Sequence, residues 1–183
     1  MSFDFSDDFE FAQFYSDDDF RTRADAKSVA GHVALSAKAG DVWRVLHGFQ
    51  KVLPSAWRTV FVGRVFLHAG TVYPHKFWAE DFRRALDTSK AAADAFPTPQ
   101  QFAGLLGCVC GCVDIVGCGC AAAAASSGAA ASVWRRKGAG KPFVFRVANP
   151  IVFDAPVPLR GRPGFFKLGD ASGDVFAALE SRS

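Results

Sequence analysis

Hydrophobic and polar positions fall along the chain in blocks that predict its elements. VFVGRVFLHAG (residues 60–70) is rich in Val and Phe and reads as a buried strand. GLLGCVCGCVDIV (104–116) alternates, with small or β-branched side chains, and reads as a second strand. FVFRVANPIVF (143–153) is a third, interrupted where Pro150 lacks a backbone donor, as at an edge or bulge. Upstream, Gly40-Asp41 precedes VWRVLH, where Trp43, Leu46 and His47 fall at helical spacing and Gly48 can stop the chain. Pro54 forbids a helix through the next stretch. Over residues 76–95, Phe77, Trp78, Phe82, Ala85 and Leu86 lie along one side and predict a second helix, ended by Phe96-Pro97-Thr98-Pro99. PVPLRGRPGFFKL (156–168) is a basic turn followed by a short closing strand, and DVFAALESR has room for one or two helical turns. Several strands, two helices and no strand–helix–strand rhythm predict a small α+β barrel.

The length, 183 residues, suits one domain, and a chain that is 50% hydrophobic and 21% charged has globular composition. Ile115 to Trp134 is free of charge, but its Gly-interrupted, Ala-rich centre is weakly apolar. We read residues 117–132 as a low-complexity insert and expect no membrane span. Met1 is followed by acidic residues rather than a basic segment and an apolar core, so no secretory signal is expected. The net charge of +3 hides an asymmetry. Residues 1–20 hold seven carboxylates and no basic side chain, leaving 11 acidic against 21 basic residues, or +10, in the remainder. Such a body favours anionic partners, or is a solvated basic surface. The first segment interleaves Phe and Tyr with Asp and Glu. We read residues 1–32 as a disordered tail and linker, with residues 1–20 either a docking motif for a protein partner or a passive solubilising tail. The domain proper is expected over 33–168, with 169–183 a C-terminal tail.

ALSAKAGDVWRVLHGFQKV, WRTVFVGRVFLHAG, GLLGCVCGCVDIV and FRVANPIVFDAPVPLRGRPGFFKL resemble, in order, the successive blocks of an ASCH domain, a family of the PUA-like superfamily of small β-barrels. The resemblance covers roughly residues 33–168 and implies an RNA-related role. Some small bacterial members are amidohydrolases acting on N4-acetylcytidine, and another is described as a nuclease. Their motif runs approximately Gly-x-Lys-Thr-x-Glu-x-Arg. Counted from Gly48, it places Gln50 at the Lys position, Lys51 at Thr, Leu53 at Glu and Ser55 at Arg. Sliding by one restores Lys51 but puts Pro54 at Glu. Neither register supplies a carboxylate to take a proton, and no Asp or Glu lies between Asp41 and Glu80.

By the same resemblance, Lys51, Arg58 and Arg64 fall on or beside the turn and strand that line the ASCH cleft, and Arg160 and Arg162 sit in a turn opened by Gly161 and Gly164. The five can hold phosphates, or be solvated charges. Trp57 offers a stacking platform for an unpaired base, or is a core residue. His68 can bond a nucleotide or carry a proton, or is a structural histidine. Cys108, Cys110 and Cys112 are expected on one strand face. With Cys118 and Cys120 they offer soft ligands for zinc or copper(I), or are small buried thiols, the reading we adopt. An odd cysteine count fits a reducing, intracellular setting. The expectation is therefore a non-catalytic ASCH-type domain that binds single-stranded RNA or a nucleotide without a cofactor. The alternatives are a divergent nucleoside amidohydrolase or ribonuclease using Lys51 and His68, and a protein-interaction module.

Overall fold

Strict alternation makes β1, Val33–Ala37, a two-faced strand: Val33 and Leu35 enter one core cluster and Ala34 another. In the computed structural model, which describes residues 33–71, 76–120, 143–169 and 172–181, five further strands complete the sheet. They are β2 (Val52–Ser55), β3 (Gly63–Ala69), β4 (Cys108–Cys120), β5 (Phe143–Pro158) and β6 (Phe165–Lys167). Their order across the sheet is β2-β5-β4-β3-β1-β6, and β1 with β3 is the parallel pair.

The sheet is curled. Flat strands lie about 4.8 Å apart, which would separate β5 from β6 by ~19 Å. Instead the rings of Phe145 on β5 and Phe165 on β6 stack with centroids 6.0 Å apart, and Trp57 touches both. Helix α1, Ala39–Leu46, packs Val42, Trp43, Val45 and Leu46 into the same core as Val65, Leu67 and Ile115. Gly48 ends it at φ +76°, a conformation glycine adopts without strain.

The α+β class expected from the sequence is what the structure shows, and both expected helical regions are present. The second is divided: α2 runs Lys76–Thr88 and α3 Lys90–Ala95, because the Ser89 side chain accepts the Ala92 N–H and starts a new helix. A fourth helix, α4 (Pro99–Ala103), follows where the sequence pattern predicts only a helix stop. Thr98 and Gln101 form a reciprocal capping box there, with Pro99 in the first turn. Leu86 points away from the core, 54% exposed, while Ala85 is buried.

Three boundaries differ from the sequence reading. Val60 and Val62 are exposed, and β3 begins only at Gly63. Gly117–Cys120, assigned to the insert, extend β4 and pair with Phe143–Arg146; residues 121–132 lie outside the described ones. The 169–183 stretch is not merely a tail. Its α5 (Ser172–Glu180) buries Val175 completely against Phe66, Val109 and Phe153 on the outer face of the sheet. Pro150 falls where β5 is irregular, beside Asn149 at φ +50°, so a central strand accommodates it at a bulge. The acidic segment 1–32 lies outside the described residues. No described helix is long and apolar enough to cross a membrane.

Candidate functional site

Parallel pairing of β1 with β3 sets Ser36 directly beside His68. Just past both strand ends the chain turns away, and the loop after β5 folds back over them. Leu159 donates its N–H to the Gly107 carbonyl at 2.9 Å, and the Ser36 N–H donates to the Gly164 carbonyl at 3.1 Å. Gly164 itself sits at φ +72°. These ties border an open cavity of about 600 Å³, lined by Ser36, Lys38, His68 and Thr71 from the strand ends and by Arg160 to Pro163 from the loop.

His68 is 2% exposed and its hydrogen bonds define its tautomer. Nε2 lies 2.9 Å from the Leu159 carbonyl oxygen, which can only accept, so Nε2 carries the proton. Nδ1 then presents a lone pair, and the Ser36 hydroxyl donates to it at 3.0 Å. Burial lowers the pKa of His68, while the Leu159 and Gly107 carbonyls pull it back up; the net direction is down, and the ring is neutral at neutral pH. Phe166 meets the ring edge to face. On another side is Gly161, where any Cβ would collide with the imidazole. That glycine is required by contact rather than by backbone torsion.

Of the seven residues singled out for nucleic acid, the pocket gathers three: His68, Arg160 and Arg162. The other four do not line it. Arg64 projects from β3 onto Asp114 of β4 in a two-pronged pair of 2.8 and 3.0 Å, which raises the pKa of the guanidinium and lowers that of the carboxyl. Trp57 packs edge-on to Phe165 and tilted against Phe145, partly buried against the inner core. Lys51 and Arg58 are exposed before and after β2. The five cations thus do not converge on one cleft: Arg64 shares a face of β3 with His68 but sits at the opposite end of the strand, where Asp114 holds it. Sequence reasoning missed Ser36 and Lys38. A leucine-serine pair at a strand end carries no signal until the distant strand beside it is known.

The degenerate motif has a structural counterpart. Leu53 lies in the inner core, 1% exposed. Gln50 is buried with Nε2 donating to the Val52 carbonyl and Oε1 accepting from Arg44. Ser55 donates to the Trp57 carbonyl at 2.7 Å. All three positions are spent on holding the chain together.

The cysteines also depart from expectation. Cys108 and Cys110 enter the inner core, but Cys112 enters the outer one. The β4 register slips between Val109 and Gly111, and this bulge reverses the alternation, so the three thiols do not share a face. Burial pushes the Cys110 thiol up to about 12 and the Cys112 thiol up to about 11. Among the described residues, no three His, Cys, Asp or Glu side chains are placed to share a metal ion.

No protein-family model and no curated protein matches the chain. Among solved structures, it is similar to the crystal structure of ASCH from Zymomonas mobilis, with 11% identity and a TM-score of 0.48 over 80% of this chain and 94% of that one. A serine-to-alanine mutant of the same Z. mobilis protein gives 10% identity and a TM-score of 0.49, over 82% of this chain and 97% of that one.

Proposed function

We propose that the chain is an ASCH-type domain that binds a phosphate-bearing nucleotide or single-stranded RNA in the Ser36–His68 pocket. The observation that carries this reading is the charge of the lining: Lys38, Arg160 and Arg162 border one cavity, and no carboxylate is among its described lining residues. None of the three is ion-paired to a described residue. Arg supplies a planar fork for phosphate oxygens and Lys a mobile point charge. The cavity is large enough for a mononucleotide unit. The sequence resemblance to ASCH blocks points the same way.

The test is a titration with labelled single-stranded RNA and with a nucleoside monophosphate at several salt concentrations. Lys38→Ala, Arg160→Ala and Arg162→Ala should each weaken RNA binding across sequences and flatten the log-log salt slope by about one. Lys51→Ala and Arg64→Ala should leave both unchanged. Absence of binding well below physiological salt, or equal losses from all five variants, would remove this pocket as the site.

A further inference from the structure

A serine hydroxyl that donates to a neutral imidazole, whose other nitrogen is tied to a fixed acceptor, is the arrangement by which a weak oxygen nucleophile is activated. Here the parts are Ser36 Oγ, His68 Nδ1 at 3.0 Å, and the Leu159 carbonyl on Nε2 at 2.9 Å. The main-chain carbonyl does the work a carboxylate does elsewhere: it holds the tautomer and accepts from the imidazolium when that forms. Leu159 is itself fixed by its N–H on Gly107. A serine needed only to satisfy a buried histidine has no reason to border a cavity. Ser36 does, and the three cations border it too.

From this geometry we infer that Ser36 and His68 are a nucleophile and base that transfer a phosphoryl group from an anionic phosphate ester to Ser36. The inference rests on the nucleotide reading above for the anionic character of the substrate. Oγ attacks phosphorus while its proton passes to Nδ1; the Oγ–P bond forms as the bond from phosphorus to the leaving oxygen breaks. The proton on Nδ1 then goes to that oxygen. Water next attacks the phosphoserine, gives its proton to Nδ1, and the Oγ–P bond breaks as Oγ recovers the proton. No redox step or co-reactant other than water is involved. Lys38, Arg160 and Arg162 neutralise the charge on the equatorial oxygens. Gly161 is a positioning residue, since a side chain there would displace the imidazole.

A fluorophosphonate probe tests the dyad directly, because it leaves a stable adduct on an activated serine as fluoride departs. The full chain should acquire one adduct, localised by peptide mass spectrometry to Ser36. Ser36→Ala, which removes one oxygen, should abolish it. His68→Gln should slow it by about 10²–10⁴-fold. Prior addition of a nucleoside monophosphate should protect Ser36. Bis(p-nitrophenyl) phosphate should release p-nitrophenolate with the wild type and not with Ser36→Ala. No adduct at Ser36, or an unchanged rate in a folded His68→Gln protein, overturns the inference; if that variant does not fold, the wild-type adduct site and Ser36→Ala decide alone. RNA binding without labelling discards the dyad and keeps the binding reading. Labelling with neither RNA binding nor nucleotide protection keeps the dyad and discards the anionic pocket.

Discussion

A thiolate rather than a thiol is the species that reacts, so burial grades the five cysteines. Cys110 and Cys112, pushed up to about 12 and 11, are almost wholly protonated at neutral pH, whereas Cys120 at the end of β4 is exposed. Iodoacetamide on the native protein should modify Cys120 first and leave Cys108, Cys110 and Cys112 intact until denaturant is added, as read by peptide mass. The buried histidine has an acid limit of its own. His68 resists protonation when folded but takes a proton in the unfolded chain as pH falls through its ordinary value of 6.5. The unfolded state therefore binds more protons below that pH, and the contribution of His68 is complete above 6.5 and lost on acidification. The urea midpoint should fall between pH 7.5 and 5.5, and His68→Gln should remove the part of that fall owed to this ring.

Charge is also buried between elements. Arg44 of α1, 1% exposed, donates to Asp41 at 2.6 Å, to Asp81 of α2 at 3.1 Å and to Gln50 at 2.9 Å. It fixes the α2 docking angle, and Gly40 lets the Asp81 carboxylate lie against the α1 backbone. Removing the cation strips buried Asp41 of its ion pair and leaves Asp81 with Arg84 alone, so Arg44→Ala should cost about 3–5 kcal/mol in chemical denaturation. The sequence was legible where one period and one partner sufficed. Trp43 and Leu46 announced α1, and Val65 to Ala69 announced β3. It was less legible where two local signals competed: Ser89 and Thr98 are ordinary helix-starting residues, but Ala-rich and Pro-rich surroundings concealed the restarts they cause. The candidate site was half legible. A basic turn with glycines marked Arg160 and Arg162, and strand periodicity placed His68 at a strand end. The partnership of Ser36 with His68, 32 positions apart, exists only through parallel pairing, which no local pattern records. The bulge at Cys110 is likewise a response to neighbouring strands.

At the scale of the whole molecule, curvature matters more than strand count. Phe165 joins β6 to β5 through Phe145 and to the β2–β3 connection through Trp57 and Phe61. Truncating it removes the ring that bridges the two ends of the sheet. Phe165→Ala should lower stability by about 3–5 kcal/mol, seen as a lower urea midpoint, and should shift tryptophan emission to the red as water reaches Trp57.

The place of β6 in the sheet also orders events in time. β1 opens the described fold, yet one of its two neighbours, β6, is synthesised after every other described strand; Val33 must wait for Lys167. Until then β1 has β3 alone, and its other edge is an open row of backbone donors and acceptors. The loop that brings Arg160 and Arg162 lies immediately before β6, so pocket and closure arise together. An anion held between Lys38 on one side and that loop on the other acts as a clasp across the last seam to form. By mass action the ligand then favours the closed chain over a nascent or partly opened one, and protection of β6 from hydrogen exchange becomes a gauge of occupancy.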